Sequence, residues 1–129
     1  MKYLVALTTL GVMAATAAAI AAAPPGNAAN GAVIFKKCAS CHSVDPTGKS
    51  GLGPNLRGVV GRKAGMVAGF NYSPAMKASG QVWNDQNLGH FLAGPRQAVP
   101  GTKMIFIGLP KPQDQADVIA YLKQNSAKK

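Results

Sequence analysis

The two cysteines of the chain stand three residues apart and are followed directly by a histidine, in Cys38-Ala39-Ser40-Cys41-His42. Side chains at i, i+3 and i+4 share one face of a helical turn, so both thiols can reach the two vinyl groups of one porphyrin. His42 lies on the same side and can ligate the iron. C-x-x-C-H is the pattern of covalent haem c attachment. We therefore predict one haem c, bound through Cys38 and Cys41, with His42 as an axial iron ligand.

Two other uses of paired thiols fit the sequence less well. A structural zinc site needs four Cys or His ligands, whereas the chain has two cysteines and two histidines, and His90 stands far from the motif. A thioredoxin-like redox pair follows a strand in a βαβ unit, but a helix-like stretch containing Ala and Lys precedes this motif. We expect His90 to lie on the surface and assign it no role.

A second iron ligand is offered by Met104, which ends the segment Pro100-Gly101-Thr102-Lys103-Met104. Pro and Gly interrupt regular structure, so this segment is predicted to be a stiff, extended loop that can carry the thioether to the opposite face of the iron. The Thr102 hydroxyl can brace the loop. A His/Met pair raises the reduction potential, since the soft thioether favours ferrous iron. Met66 and Met76 are competing ligands, although we expect both to pack in the core.

The N-terminal residues 1–23 contain one early charge, Lys2, then an apolar run and small residues. This is the pattern of a secretory signal peptide, and Ala19-Ile20-Ala21 is an acceptable cleavage signal. The run is nearly long enough to span a membrane, so an uncleaved anchor remains an alternative. Either form places residues 24–129, a single domain by length, in the periplasm, where c-type haem is attached.

Helix signals surround the motif, and no stretch shows strand alternation. Few aromatics and many glycines predict a thin protein core, to which a buried macrocycle would add apolar surface. Residues 48–69 are dense in glycine and are predicted to form loops. The first helix has Asn27 or Asn30 as its cap, and a short one runs from Asn84 to Gly94-Pro95. The last begins at Pro112, has Asp114 near its positive end and shows an apolar face of Val118, Ile119, Tyr121 and Leu122.

These residues resemble the class I cytochromes c, both the mitochondrial protein and the small soluble bacterial carriers, from about Asn27 to Gln124. The resemblance implies an all-α class I cytochrome c fold, with the N- and C-terminal helices crossing at Phe35 and Tyr121 and with short helices and loops around one covalent haem. The matching segments are Gly53-Pro54-Asn55-Leu56, Gly61-Arg62-Lys63, Gly69-Phe70-Asn71-Tyr72, Trp83, Pro100 to Met104 with Phe106, and Asp117-Val118-Ile119-Ala120-Tyr121-Leu122.

The resemblance also implies roles around the haem. It assigns the Pro54 carbonyl as the acceptor for the second N–H of His42, the usual way to orient a ligating imidazole. It assigns Arg62, Tyr72 and Trp83 to the haem propionates, since buried carboxylates need donors. Ordinary core packing is the alternative for Tyr72 and Trp83.

Two positions depart from the family pattern. Phe91 stands where the family usually has a Tyr near the Met sulfur, and Met76 stands where Asn is common. The sulfur then loses a hydrogen-bond partner, which alters the potential and the strength of the Met–iron bond. We predict an apolar Met-side pocket with less ordered water.

The charge balance of the chain is strongly basic, with 14 Lys and Arg against 4 Asp and Glu and a net charge of +10 at pH 7. Such an excess suits nucleic acid, membranes or acidic proteins, and an exported haem protein makes nucleic acid the poor choice. Solvated surface charge is the alternative for each cation singly. The cations that flank the segments framing the haem edge form a predicted docking patch for acidic redox partners: Lys36, Lys37, Arg96, Lys103 and Lys111.

The predicted function is that of a monomeric periplasmic carrier of single electrons between membrane complexes. Iron with two strong protein ligands has no vacant position, so we do not expect an enzyme. By resemblance the donor is a quinol-cytochrome c reductase, and the acceptor is an oxidase or a photosynthetic reaction centre. The alternatives are a haem peroxidase or gas-binding protein, which requires labile Met104, and an acceptor dedicated to one periplasmic dehydrogenase.

Overall fold

The computed structural model describes residues 16–17 and 22–126, which contain five helices: α1 Ala28–Phe35, α2 Pro74–Ala78, α3 Asp85–Ala93, α4 Pro95–Ala98 and α5 Pro112–Gln124. Within these residues the β structure is a single antiparallel bridge between Lys63 and Val82. The predicted all-α fold is confirmed. Most of the predicted signal peptide lies outside the described residues, and none of the described helices is long and apolar enough to cross a bilayer.

The helices begin at residues whose side chains favour a helix N-terminus. The Asn27 side chain accepts the Asn30 N–H at 3.0 Å and caps α1, while Asn84 and Asn87 cap α3 reciprocally. Pro112 occupies the first turn of α5. α2, which Ser73 caps, was not expected from the sequence, since five residues are too few to show helical periodicity.

The crossing of α1 and α5 organises the molecule. The Phe35 and Tyr121 rings pack with their centroids 5.1 Å apart, as the resemblance implied. The close approach depends on Gly31, because a Cβ there would fall on the Asp117 carbonyl oxygen and 2.8 Å from the Tyr121 Cβ. Buried side chains on both sides of the crossing complete the contact: Ile34, Val118, Ile119 and Leu122.

The two competing methionines have different surroundings. Met76 on α2 is buried in the apolar cluster, as predicted. Met66 is 61% exposed, so its predicted core packing is wrong. It follows Gly65, whose φ of 77° belongs to a loop turn, and this loop leaves the Met66 side chain in solvent. His90 is exposed on α3, as expected.

Candidate haem site

The C-x-x-C-H motif continues directly from α1. The Cys38 N–H donates to the Phe35 carbonyl at 2.8 Å, and the Cys38 carbonyl in turn accepts from the N–H groups of Cys41 at 3.1 Å and His42 at 2.9 Å. The two thiols and the imidazole are thus carried by one helical turn. Both thiols are unpaired, with Cys38 partly buried and Cys41 exposed, so both can form thioether bonds.

The His42 ring is held in the orientation that a metal ligand needs. Its Nδ1 lies 2.8 Å from the Pro54 carbonyl oxygen. A carbonyl can only accept, so Nδ1 carries the proton and, in the neutral ring, Nε2 keeps its lone pair. Burial lowers the pKa of His42, and the hydrogen bond to Pro54 opposes this only in part. The neutral imidazole, which is the ligating form, is therefore favoured.

Gly53 packs against the same ring. The sequence alone does not show why a glycine is needed at this position of the site. A Cβ on Gly53 would lie 2.7 Å from Nδ1 and 2.8 Å from Nε2 of His42. Gly53 is buried, and its N–H donates to the Cys41 carbonyl at 2.8 Å. The segment therefore orients the imidazole both by the Pro54 hydrogen bond and by close backbone contact with the ring.

The loop that carries Met104 is held by hydrogen bonds along its length. The Thr102 N–H donates to the Val99 carbonyl at 3.0 Å, and the Met104 N–H donates to the Thr102 hydroxyl at 3.2 Å. Lys103 Nζ donates to the Asn71 carbonyl at 3.2 Å. The loop ends at Gly108, where a Cβ would collide with the Ala93 carbonyl. These bonds give the segment the stiffness that a fixed thioether ligand requires.

A haem fits the surroundings of these residues. Cys38 and Met104 lie far apart in the sequence, yet both pack against the same apolar cluster, which includes Phe91 and Met76. The turn of residues 38–42 therefore carries two thiols and a neutral imidazole, and the Met104 thioether packs against the same apolar cluster as Cys38. This donor set and this low-polarity environment suit a covalent, six-coordinate haem.

Two of the three residues predicted to bind the propionates already form side-chain hydrogen bonds within the protein. Arg62 donates to the Asn55 carbonyl at 3.0 Å and to the Arg57 carbonyl at 3.2 Å, and the Tyr72 hydroxyl accepts the Val67 N–H at 3.1 Å. Burial lowers the pKa of Arg62.

Each of the three still has a donor to offer. Arg62 keeps further N–H groups and Tyr72 keeps its O–H. Trp83 is buried and carries one donor, its indole N–H. Their role toward the propionates stays a prediction.

The predicted docking cations are all exposed, and one of them adjoins an apolar surface that was not predicted from the sequence. Arg96 and Gln97 line an open cavity of about 380 Å³ together with Ile105, Phe106 and Ile107. Ile105 is 89% exposed and Ile107 is 96% exposed, while Phe106 between them packs against the core. The sequence could have indicated this surface, because residues i and i+2 of an extended segment, here Ile105 and Ile107, point the same way.

Comparison with known proteins agrees with this geometry. The family model described as Cytochrome c matches residues 28–126. The chain belongs to the cytochrome c family. It is 51% identical to cytochrome c of Gossypium barbadense over 106 residues, which cover 81% of this chain and 96% of that protein. It is 54% identical to cytochrome c2 of Rhodomicrobium vannielii over 97 residues, covering 75% of this chain and 78% of that protein.

A solved structure shares both sequence and fold. Cytochrome cH from Methylobacterium extorquens matches with a TM-score of 0.73 and 46% identity, covering 77% of this chain and 99% of the other. As a class I cytochrome c, the chain binds one covalent haem c, and its C-x-x-C-H motif at Cys38 and Cys41 fits the attachment. The cofactor and the fold predicted from the sequence are thereby confirmed.

Proposed function

We propose that this class I cytochrome c is an exported, monomeric one-electron carrier in which His42 and Met104 are the two axial iron ligands. The observation that carries the proposal is the hydrogen bond from His42 Nδ1 to the Pro54 carbonyl at 2.8 Å. It leaves Nε2 as the only ring nitrogen able to bind a metal, on the turn that bears both thiols. The stiff Met104 loop bordering the same apolar cluster supports the second ligand.

The chain's own residues perform three tasks for such a carrier. Bound haem supplies the one-electron chemistry of iron. Pro54 and Gly53 hold the His42 ring in one orientation, and Thr102 holds the Met104 loop, so the ligand geometry changes little between redox states. The apolar cluster excludes water from the site and keeps the local dielectric low. If His42 and Met104 both bind the iron, no position would be left for a substrate, and we propose no enzymatic activity.

Location and partners form a further part of the proposal. The signal-like residues 1–23 support export to the periplasm, with an uncleaved anchor as the other form. The exposed docking patch of Lys36, Lys37, Arg96, Lys103 and Lys111 supports acidic partner surfaces. By family resemblance, we propose a quinol-cytochrome c reductase as the donor and an oxidase or reaction centre as the acceptor.

The visible spectrum of the purified haem protein tests the ligand assignment. We expect the weak far-red band of methionine-to-iron(III) ligation in the oxidised protein, and no change when carbon monoxide is added to the reduced protein. Met104→Leu should remove the band. Met66→Leu and Met76→Leu should keep it, because we expect neither to bind the iron: Met66 lies in solvent, and Met76 is a buried packing residue of α2.

The opposite result identifies the alternative function. Absence of the band in the unmodified protein, together with ready binding of carbon monoxide or peroxide, would show that Met104 is not a firm ligand. The haem peroxidase or gas-binding function would then replace the carrier function.

A further inference from the structure

A buried carboxylate joins the start of the described domain to its last helix. Asp117 on α5 is 2% exposed. Its Oδ1 accepts the Asn27 backbone N–H at 2.7 Å and the Gln113 side-chain amide at 2.8 Å, and its Oδ2 accepts the Asn30 side-chain amide at 2.5 Å. Three donors from two elements therefore converge on one carboxylate.

The donors tie down the segment that precedes α1. We call residues 24–27 the N-terminal arm. The Gln113 amide that bonds Asp117 also donates to the Pro25 carbonyl at 2.8 Å. Gly26 lies directly on the Ala116 carbonyl, where a Cβ would collide. The arm is thus held against one stretch of α5 by bonds that lead, directly or through Gln113, to Asp117.

The charge of Asp117 has no cationic counterpart among residues 22–126. The groups that face it are neutral amides: Asn27 and Asn30 from the start of α1, and Gln113 from its own helix. The ion pair found in this part of the chain, Lys123 with Asp85, does not involve it. The backbone bond from Asn27 and the side-chain bonds from Asn30 and Gln113 lower the pKa of Asp117, and the positive end of the α1 dipole favours the anion as well.

The arm and the helix crossing depend on different forces. Pro25, Gly26 and Asn27 are exposed, so the arm buries little apolar surface and relies on polar bonds. The crossing instead rests on buried side chains such as Ile34, Phe35 and Val118, whose packing does not change with pH. Loss of the Asp117 charge therefore weakens the arm much more than it weakens the crossing.

We infer that ionised Asp117 is an acid-sensitive fastener, whose protonation releases the N-terminal arm from α5 while α1 and α5 remain packed. Because the carboxylate is stabilised in the folded protein, its contribution is fully present above the ordinary pKa of about 3.9 and is lost as pH falls through the lower pKa of the folded state. Release is thus expected in moderately strong acid. The inference does not depend on the axial ligands or on the redox partner.

Hydrogen exchange of the haem-loaded protein, followed by NMR across an acid titration and corrected for intrinsic exchange rates, tests the fastener. We expect protection of the Asn27 amide to fall on the order of tenfold in acid, the effect of losing one charge-assisted hydrogen bond. Protection of the Val118 and Ile119 amides should persist at the same pH. In Asp117→Asn the Asn27 amide should be poorly protected at every pH.

Asp114→Asn is the matched control. It removes the same charge one turn earlier on α5, so it should behave like the unmodified protein. Equal protection of Asn27 in Asp117→Asn and in the unmodified protein would overturn the inference, as would simultaneous loss of protection at Asn27 and Val118. If Asp117→Asn does not fold, the carboxyl carbon shift of Asp117 in the unmodified protein decides the matter. This chemical shift must titrate with the same midpoint as the loss of protection at the Asn27 amide. Two different midpoints would overturn the inference.

Discussion

At the residue scale, the space beside His42 depends on the absence of a methyl group at position 53. Gly53 lies outside the left-handed region, so its backbone would accept alanine and any effect of Gly53→Ala is steric. We expect the added Cβ to push the imidazole from its place and to lower the free energy of unfolding by about 1–3 kcal/mol. The reduction potential should also shift, because His42, the proposed iron ligand, would then be displaced. Thermal unfolding and redox titration measure both.

Gly51→Ala is the control for this substitution. Gly51 lies in the same loop, is exposed, and would place its Cβ 3.3 Å from the Cys41 carbonyl oxygen rather than against the imidazole. It should leave the potential unchanged. An unaltered potential and stability in Gly53→Ala would show that the ring has room to move.

Phe91 allows a second test at this scale. It is buried, with its ring centroid 5.2 Å from that of Trp83, and its phenyl ring carries no hydroxyl of its own. We expect Phe91→Tyr to change both the reduction potential and the pH of the alkaline ligand exchange, since a phenol near the sulfur would alter the proposed bond between Met104 and the iron. Redox titration and a spectroscopic pH titration check this.

Phe70→Tyr adds the same hydroxyl beside Tyr72, where the two rings pack edge to face at 4.8 Å, and serves as the comparison. If Phe91→Tyr changed neither quantity, the effect we attribute to an apolar Met-side pocket would be wrong.

Residue types and spacing predicted the haem, because its attachment needs a fixed local pattern. The same reasoning found the cap at Asn84 and gave Asn27 or Asn30 for the first helix, since capping side chains act within three residues; the cap is Asn27. It did not find Gly53 or Gly31, whose importance lies in what approaches them from distant parts of the chain. It also misplaced Met66, since composition does not say which side of a loop faces solvent.

At the scale of elements, the close approach of α1 and α5 requires a glycine at position 31. Alanine is favoured over glycine inside a helix by about 1 kcal/mol. In Gly31→Ala the added Cβ would nevertheless meet backbone oxygen of Asp117, which cannot move without shifting α5. We expect a net loss of about 3 kcal/mol in the free energy of unfolding, measured by denaturant titration of the haem protein.

Val33→Ala offers a reference on the same helix. Val33 is 58% exposed, so this change should alter stability by less than about 0.5 kcal/mol. A Gly31→Ala protein as stable as Val33→Ala would mean that the helices can separate at little cost.

At the scale of the whole molecule, the basic charge predicts how fast the protein meets its partners. Electron transfer to an acidic partner should slow steeply between low and high salt, because the screening length shrinks from about 30 Å at 0.01 M to about 3 Å at 1 M. Lys111→Gln should reduce this salt dependence. Lys123→Gln removes the same charge from a cation already paired with Asp85 and should have little effect. Stopped-flow kinetics distinguish them, and a flat salt response in the unmodified protein would exclude electrostatic docking.

The hydrogen bond from Lys103 Nζ to the Asn71 carbonyl restricts the side chain of this predicted docking cation. An ammonium has three N–H donors, so one is used internally and two remain for a partner's carboxylate. The side chain is therefore already ordered before encounter. A mobile surface lysine must lose its rotamer freedom on binding, at about 0.5–1.5 kcal/mol for such a side chain. Lys103 should therefore lose less rotamer entropy on binding, and so act as a pre-organised anchor within an otherwise adaptable surface.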